Sequence, residues 1–204
     1  HRMLDDQIIK IKAELGEVVR TRTIQRQNRQ RNETPSVALV GYTNAGKSTL
    51  FNALTGAGVL SKDMLFATLD PTMRGMTLAS GRTVILADTV GFISQLPTEL
   101  VEAFKSTLEE VVEADMLLHV HDASSPMVLE EAQDVFDVIK SLGLDENEQQ
   151  RRIIHVCNKI DQVTDMEHFK LLSKRFPKAV MISALEKTGL DQVDNAIDTF
   201  FSAE

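Results

Sequence analysis

The apolar positions change period near residue 35. Before it, Leu4, Ile8, Ile11, Leu15 and Val18 are spaced 4, 3, 4 and 3, the seam of a helix with one apolar stripe. Such a stripe needs something to pack against. Thr34-Pro35 ends the segment, because the residue before a proline is biased away from helix. From Ser36 onward, short apolar runs alternate with amphipathic stretches. Val37–Val40, Met116–His121, Ile153–Cys157 and Ala179–Ile182 read as strands. Thr72–Ala79 and Thr83–Ala87 flank the turn signal Ser80-Gly81 and read as a two-residue hairpin. Helical patterns run from Thr49 to Leu54, from Pro97 to about Val112, from Ser125-Pro126 to a stop at Gly143, from Asp165 to Phe176 and from Asp191 to Phe201. The acids around Asp145–Glu148 read as a solvated loop. This alternation predicts an α/β fold with a six-stranded, mostly parallel sheet, helices on both faces and one antiparallel pair at the hairpin.

Composition narrows the classes. The 204 residues suffice for one domain and an appendage, and 43% hydrophobic content can form a core. No apolar run approaches the ~20 residues that cross a bilayer, and no signal peptide is visible. Cys157 is the only cysteine, so no intrachain disulfide can form; a reducing, cytoplasmic location is expected. His1 rather than Met stands first, so a piece of a longer chain is expected. The net charge of −8 is unevenly placed: residues 1–34 sum to +3 and the remainder to −11. Five arginines and no acid lie between Arg20 and Arg31. That run is either a solvated helix face or a contact for a nucleic-acid phosphate backbone. The expected division is a basic helical segment, 1–34, and a catalytic domain, 35–204.

Gly41-Tyr42-Thr43-Asn44-Ala45-Gly46-Lys47-Ser48 fits G-x-x-x-x-G-K-[ST] between a strand and a helix. In this setting glycines let successive N–H groups turn inward on a phosphate. A helix beginning near Gly46 adds its positive end. Lys47 would reach the β- and γ-phosphates, and Ser48 would hold Mg²⁺.

Three further motifs follow. Asp88-Thr89-Val90-Gly91 places a carboxylate for Mg²⁺ and a glycine N–H for the γ-phosphate. Asn158-Lys159-Ile160-Asp161 follows a strand. Its Asp161 can accept both donors of a guanine edge, Lys159 can lie along the base, and Asn158 can tie this loop to the phosphate loop. Ser183-Ala184, at the end of the last strand, can offer N–H groups to guanine O6. Each motif alone is weak; together they occupy the strand ends where open α/β sheets bind ligands.

The set resembles the translation-factor-like GTPases, and within them the HflX family of ribosome-associated GTPases. The residues that carry the resemblance run from Gly41 to Thr49, then Leu65-Phe66-Ala67-Thr68-Leu69-Asp70-Pro71-Thr72, Ala87-Asp88-Thr89-Val90-Gly91-Phe92 and Asn158-Lys159-Ile160-Asp161. The resemblance implies a Ras-like sheet, binding of GTP and GDP, GTP hydrolysis, and action on the large ribosomal subunit and its rRNA, with ribosome splitting under stress in some members. It implies that Thr68 closes on Mg²⁺ and the γ-phosphate, and that Leu4–Val18 is the second helix of a truncated helical hairpin. The expected nucleotide contacts are Gly41, Asn44, Ala45, Gly46, Lys47, Ser48, Thr49, Asn158, Lys159, Asp161, Ser183 and Ala184. Lys47, Thr68 and Gly91 would act in catalysis, with Ser48, Thr68 and Asp88 around the metal.

Other readings stay open. A nucleotide-gated RNA-binding module with incidental hydrolysis would also use the Arg20–Arg31 run. An ATPase would share the phosphate loop, and Asp161 argues against it. Phe92 stands where many Ras-like proteins place a water-orienting glutamine, so slow unaided hydrolysis is expected, completed by a partner or an ion. Asn44 either bonds loop backbone or, as in potassium-activated GTPases that this loop resembles, holds K⁺ beside the phosphates. His119 and His121 share a strand face, but two ligands are too few for a metal site, so they read as core or strand-end residues. Cys157 reads as inert packing.

Overall fold

A computed structural model describes residues 6–14, 34–56, 73–89, 91 and 108–203. Six strands form one sheet: β1 Ser36–Gly41, β2 Met73–Thr77, β3 Thr83–Asp88, β4 Met116–Asp122, β5 Ile153–Asn158 and β6 Val180–Met181. Their order is β2-β3-β1-β4-β5-β6. Only β2 against β3 is antiparallel. The helices are α1 Lys47–Thr55, α2 Val128–Ser141, α3 Glu146–Arg152, α4 Met166–Arg175 and α5 Leu190–Ser202. Residues 6–14 and 108–113 are also helical.

The strand sequences explain the layering. In β1, Val37 and Leu39 join one core with Leu50 and Phe51 of α1 and Val193 and Ile197 of α5. Ala38 and Val40 point the other way, into a core with Val135 and Ile139 of α2. A strand covered on both faces must be apolar at every position, which is why β1 shows a continuous run. The register places Leu39 beside Asp88 and Gly41 beside Val120. The carboxyl ends of β1, β3 and β4 therefore finish side by side, and the loops that leave them meet.

Four details depart from the sequence expectation. The hairpin turn spans three residues, with the Leu78 N–H donating to Arg82 O (2.8 Å) and Gly81 at φ +90°. A left-handed glycine in third place restores the strand twist after a tight turn. Helix α2 starts at Val128, two residues later than the Ser125-Pro126 signal; the Ser125 hydroxyl accepts instead from the Met127 N–H (3.2 Å). The acids near Asp145 form α3 rather than a loop. Asp145 caps it by accepting from the Glu148 N–H (2.9 Å), and the buried Gln149 amide donates to Leu144 O (2.9 Å). An all-polar helix has no apolar period to betray it. In the N-terminal segment, Ile8 of the expected seam remains 37% exposed among the described residues. The stretch 57–72 and the Arg20–Arg31 run lie outside the described residues, as does most of the helix expected from Pro97.

Stability should follow this hierarchy. Leu118→Ala, at a fully buried position of β4, should lower unfolding free energy by about 2–5 kcal/mol. Asp145→Ala, removing the α3 cap, should lower it by only about 1 kcal/mol. Urea unfolding checks both; equal losses would contradict the layering described.

Candidate functional site

The loop from Gly41 to Gly46 is shaped by close approach. A Cβ on Gly41 would sit 2.5 Å from Val120 O, and one on Gly46 would sit 2.3 Å from Asn158 Nδ2. Gly46 is at φ +91° and Asn44 at φ +61°, both left-handed. Ala45 N–H turns back to Tyr42 O (3.2 Å), and α1 begins at Lys47. Backbone N–H groups of the first helical turn thus face the loop's concave side, the arrangement that binds anions.

Lys47 is buried, and its ammonium donates to Gly41 O (3.3 Å) and Tyr42 O (3.1 Å). Burial lowers its pKa to about 8, opposed by the nearby Asp88 carboxylate and assisted by the Lys159 charge. The Ser48 hydroxyl donates to Asp88 Oδ2 (2.6 Å), so the two residues expected around Mg²⁺ are already in contact. An oxygen pair of this kind, one of its members a carboxylate, suits a hard divalent cation. Thr89 holds the end of β3 by donating from its hydroxyl to Leu39 O. A Cβ on Gly91 would meet Thr43 Cα at 2.9 Å and Lys47 Nζ at 3.3 Å, so this glycine lies against the phosphate loop. Thr49 lies in the first turn of α1. Thr68, Val90 and Phe92 lie outside the described residues.

The second half of the site comes from β5. Asn158 is buried; its Nδ2 donates to Ala45 O (3.0 Å) and its Oδ1 accepts from the Ala184 N–H (2.9 Å). Lys159, at φ +64°, extends its ammonium to Asn44 O (2.6 Å) and to Asp122 Oδ2 (3.1 Å). Asp161 stands exposed in a short 3₁₀ turn, Ile160–Gln162. Asp122 was not foreseen. Its only sequence signal is its position at the carboxyl end of β4, in register with Asn158.

Ser183 and Ala184 follow β6 and reach the Asn158 side of the site. The Ser183 N–H donates to Thr188 O (3.1 Å) and the Ala184 N–H to Asn158 Oδ1 (2.9 Å). Ala184 buttresses Asn158, because a buried amide oxygen must be satisfied and the Ala184 N–H supplies the donor.

Residues 36–174 match the family model described as a 50S ribosome-binding GTPase. The chain is 50% identical over 197 residues to the GTPase HflX of Caldanaerobacter subterraneus subsp. tengcongensis, covering 97% of this chain and 44% of that protein. Against the GTPase HflX of Escherichia coli it is 42% identical over 204 residues, 100% of this chain and 47% of that one. It therefore spans about half the length of these relatives. Among solved structures, a GTP-binding protein from Sulfolobus solfataricus in complex with GDP superposes with a TM-score of 0.67 at 29% identity, covering 97% of this chain and 65% of that one. Among the described residues, no helix is long and apolar enough to cross a membrane.

Asn158→Ala should strand a buried carbonyl at Ala45 and a buried N–H at Ala184, about 1–3 kcal/mol for each group left unsatisfied. GDP affinity and urea stability should fall together. Asn158→Asp should be no better, since it restores the acceptor for Ala184 but sets a second oxygen against Ala45 O. Unchanged GDP affinity in both variants, by fluorescent-nucleotide titration, would show that the two halves of the site are independent.

Proposed function

Because the chain belongs to the HflX family of GTPases, we propose that it binds GTP and hydrolyses it to GDP and phosphate, working as a nucleotide switch on the large ribosomal subunit. The observation that carries this reading is the Asn158 bridge, which joins a phosphate-binding loop to a loop bearing an exposed carboxylate suited to guanine. The base would be selected by Asp161, which accepts two hydrogen bonds where adenine offers no matching donors. The phosphates would lie along the N–H groups of Gly41, Asn44, Ala45, Gly46, Lys47, Ser48 and Thr49.

In the reaction, water attacks the γ-phosphorus in line with the departing β-γ bridging oxygen. Negative charge shifts toward that oxygen, and Lys47 lies where it can follow the charge. Gly91, set against Thr43 and Lys47, would present its N–H to the γ-phosphate. Ser48, Asp88 and Thr68 would hold Mg²⁺, which would supply neutralisation of the charge that develops on the phosphates. With phenylalanine at position 92, no side-chain amide orients the water at that place, so turnover would be slow until a ribosomal partner or a monovalent cation completes the site. Asn44, exposed at the loop tip, is the residue that would hold K⁺.

This reading keeps residues 1–34 as a basic helical segment serving rRNA contact, 35–204 as the GTPase domain, and the cytoplasm as the place of action. Whole-protein roles, splitting or rescue of ribosomes among them, belong to the same proposal.

Multiple-turnover GTP hydrolysis should accelerate when large ribosomal subunits are added; no acceleration would favour an RNA-binding module whose hydrolysis is incidental. Turnover should also be faster in K⁺ than in Na⁺ at matched ionic strength, and Asn44→Ala should erase the difference while sparing GTP affinity. Identical rates in the two salts would leave Asn44 as a loop-backbone residue. Asp161→Asn should lose guanine affinity by several kcal/mol, on the order of 10³-fold, and favour xanthine nucleotides, whose altered edge suits an amide. A retained preference for GTP over XTP would end the assignment of Asp161 to the base.

A further inference from the structure

Behind the nucleotide loops, β4 and β5 bring three imidazoles together. His119 and His155 are direct partners in the parallel register, and His121 follows His119 on the same face. One ring nitrogen from each lies within 4.8 Å of one from each of the others. His121 Nε2 and His155 Nδ1 are 3.0 Å apart. The rings of His119 and His121 are 3.9 Å apart between centroids. Phe136 of α2 stands edge-on to His119 at 5.1 Å, and Phe176 stacks on His121 at 4.5 Å. His119 and His121 are buried and His155 is half-buried. Nδ1 of His119 is buried with no hydrogen-bond partner among the described residues.

We propose that His119, His121 and His155 form a binding site for one transition-metal ion of the zinc or cobalt class, separate from the Mg²⁺ position of the nucleotide.

Three nitrogens around a tetrahedral ion at ~2.0–2.1 Å must lie roughly 3.3 Å from one another. The His121–His155 pair is near that spacing already at 3.0 Å, and the third nitrogen lies within 4.8 Å of both. The ligands are ready in their neutral form, because burial holds the pKa of His121 at about 3, that of His155 at about 4 and that of His119 well below the ordinary value. Imidazole nitrogens favour borderline ions over Mg²⁺ and Ca²⁺, whereas the Ser48–Asp88 pair favours the hard ones. Arg175, whose charge acts on His121 and His155, adds repulsion that only a strongly coordinating ion overcomes. Cys157, in register with His121, is not one of the side chains whose ligand atoms converge here. A cleft lined by Gln133, Phe136, Arg175 and Phe176 reaches His155 from solvent. It offers an entry path and room for a water as fourth ligand. The alternative is a metal-free packed cluster held by one imidazole–imidazole hydrogen bond.

Co²⁺ titration of the 204-residue protein, saturated beforehand with GDP and Mg²⁺, separates the two. A metal site gives intense visible d–d absorption of tetrahedral cobalt, saturating at one equivalent and displaced by Zn²⁺. His155→Ala, at the half-buried position, should weaken Co²⁺ binding at least ~10-fold while GDP affinity stays intact, and His168→Ala should change neither. In the intact protein, one equivalent of Co²⁺ should broaden the imidazole NMR signals of His119, His121 and His155 and spare His168. That measurement decides the matter even if a variant fails to fold. Weak octahedral absorption alone, broadening confined to other residues, or a tetrahedral band that survives in His155→Ala would overturn the site.

Discussion

The side-chain amide of Asn158 joins loops that the chain separates by 113 positions on one side and 26 on the other. It works because an amide carries a donor and an acceptor pointing apart. An aspartate lacks the donor, an apolar side chain lacks both, and a glutamine is a methylene too long for a gap already closed to 3.0 Å. The same contact decides a residue elsewhere. Gly46 cannot carry a Cβ, because that atom would strike the Asn158 nitrogen, and its left-handed backbone independently favours glycine. A phosphate loop and a base loop that would otherwise be separate features of two strands are thereby made one rigid object.

Charge arrangement extends this coupling. Lys159 bonds the Asn44 carbonyl on the phosphate loop and pairs with Asp122 at the end of β4, while Lys47 feels Asp88. Two cations and two anions thus alternate along the carboxyl edge of the sheet. These groups are largely removed from water, where an unpaired charge is costly and a paired one is tolerable only with well-made hydrogen bonds. The three histidines lie one layer behind, on the same two strands that end in Asp122 and Asn158. They are neutral, so they add no charge to an edge already balanced.

Apolar periodicity located all six strands, since β1, β4 and β5 are covered on both faces and read as continuous runs. It missed α3, whose sequence Glu146–Arg152 has no apolar residue and is held by a cap, by Gln149 and by pairs from Glu148 to Arg151 and Arg152. Such a helix depends on its neighbours, which local sequence does not encode. The motifs located Lys47, Ser48, Asp88 and Asn158 because spacing within a loop is a local property. Asp122 and His155 escaped, because their roles arise from strand register: each gains meaning only when β4 and β5 are laid side by side. The surroundings of Ser183 and Ala184 escaped for a related reason. A motif names available N–H groups, but only the fold shows that Thr188 O and Asn158 Oδ1 already take them.

Several polar groups of the site bond one another within the protein. Lys47, which a phosphate would neutralise, bonds two carbonyls of its own loop; Ser48 bonds Asp88; Lys159 bonds Asn44 O. An incoming nucleotide does not fill a set of dangling groups. On the proposed function it would exchange neutral carbonyl acceptors at Lys47 for phosphate oxygens, and charge-assisted bonds are about twice as strong as neutral ones. The loop carbonyls that Lys47 would release, one of them on the buried Gly41, would then need other partners. The Asn158 bridge uses neither Lys47 nor its carbonyl acceptors, so such an exchange would leave it in place. On the proposed function, that constraint would let a change at the phosphates be felt at Asp161, and the reverse.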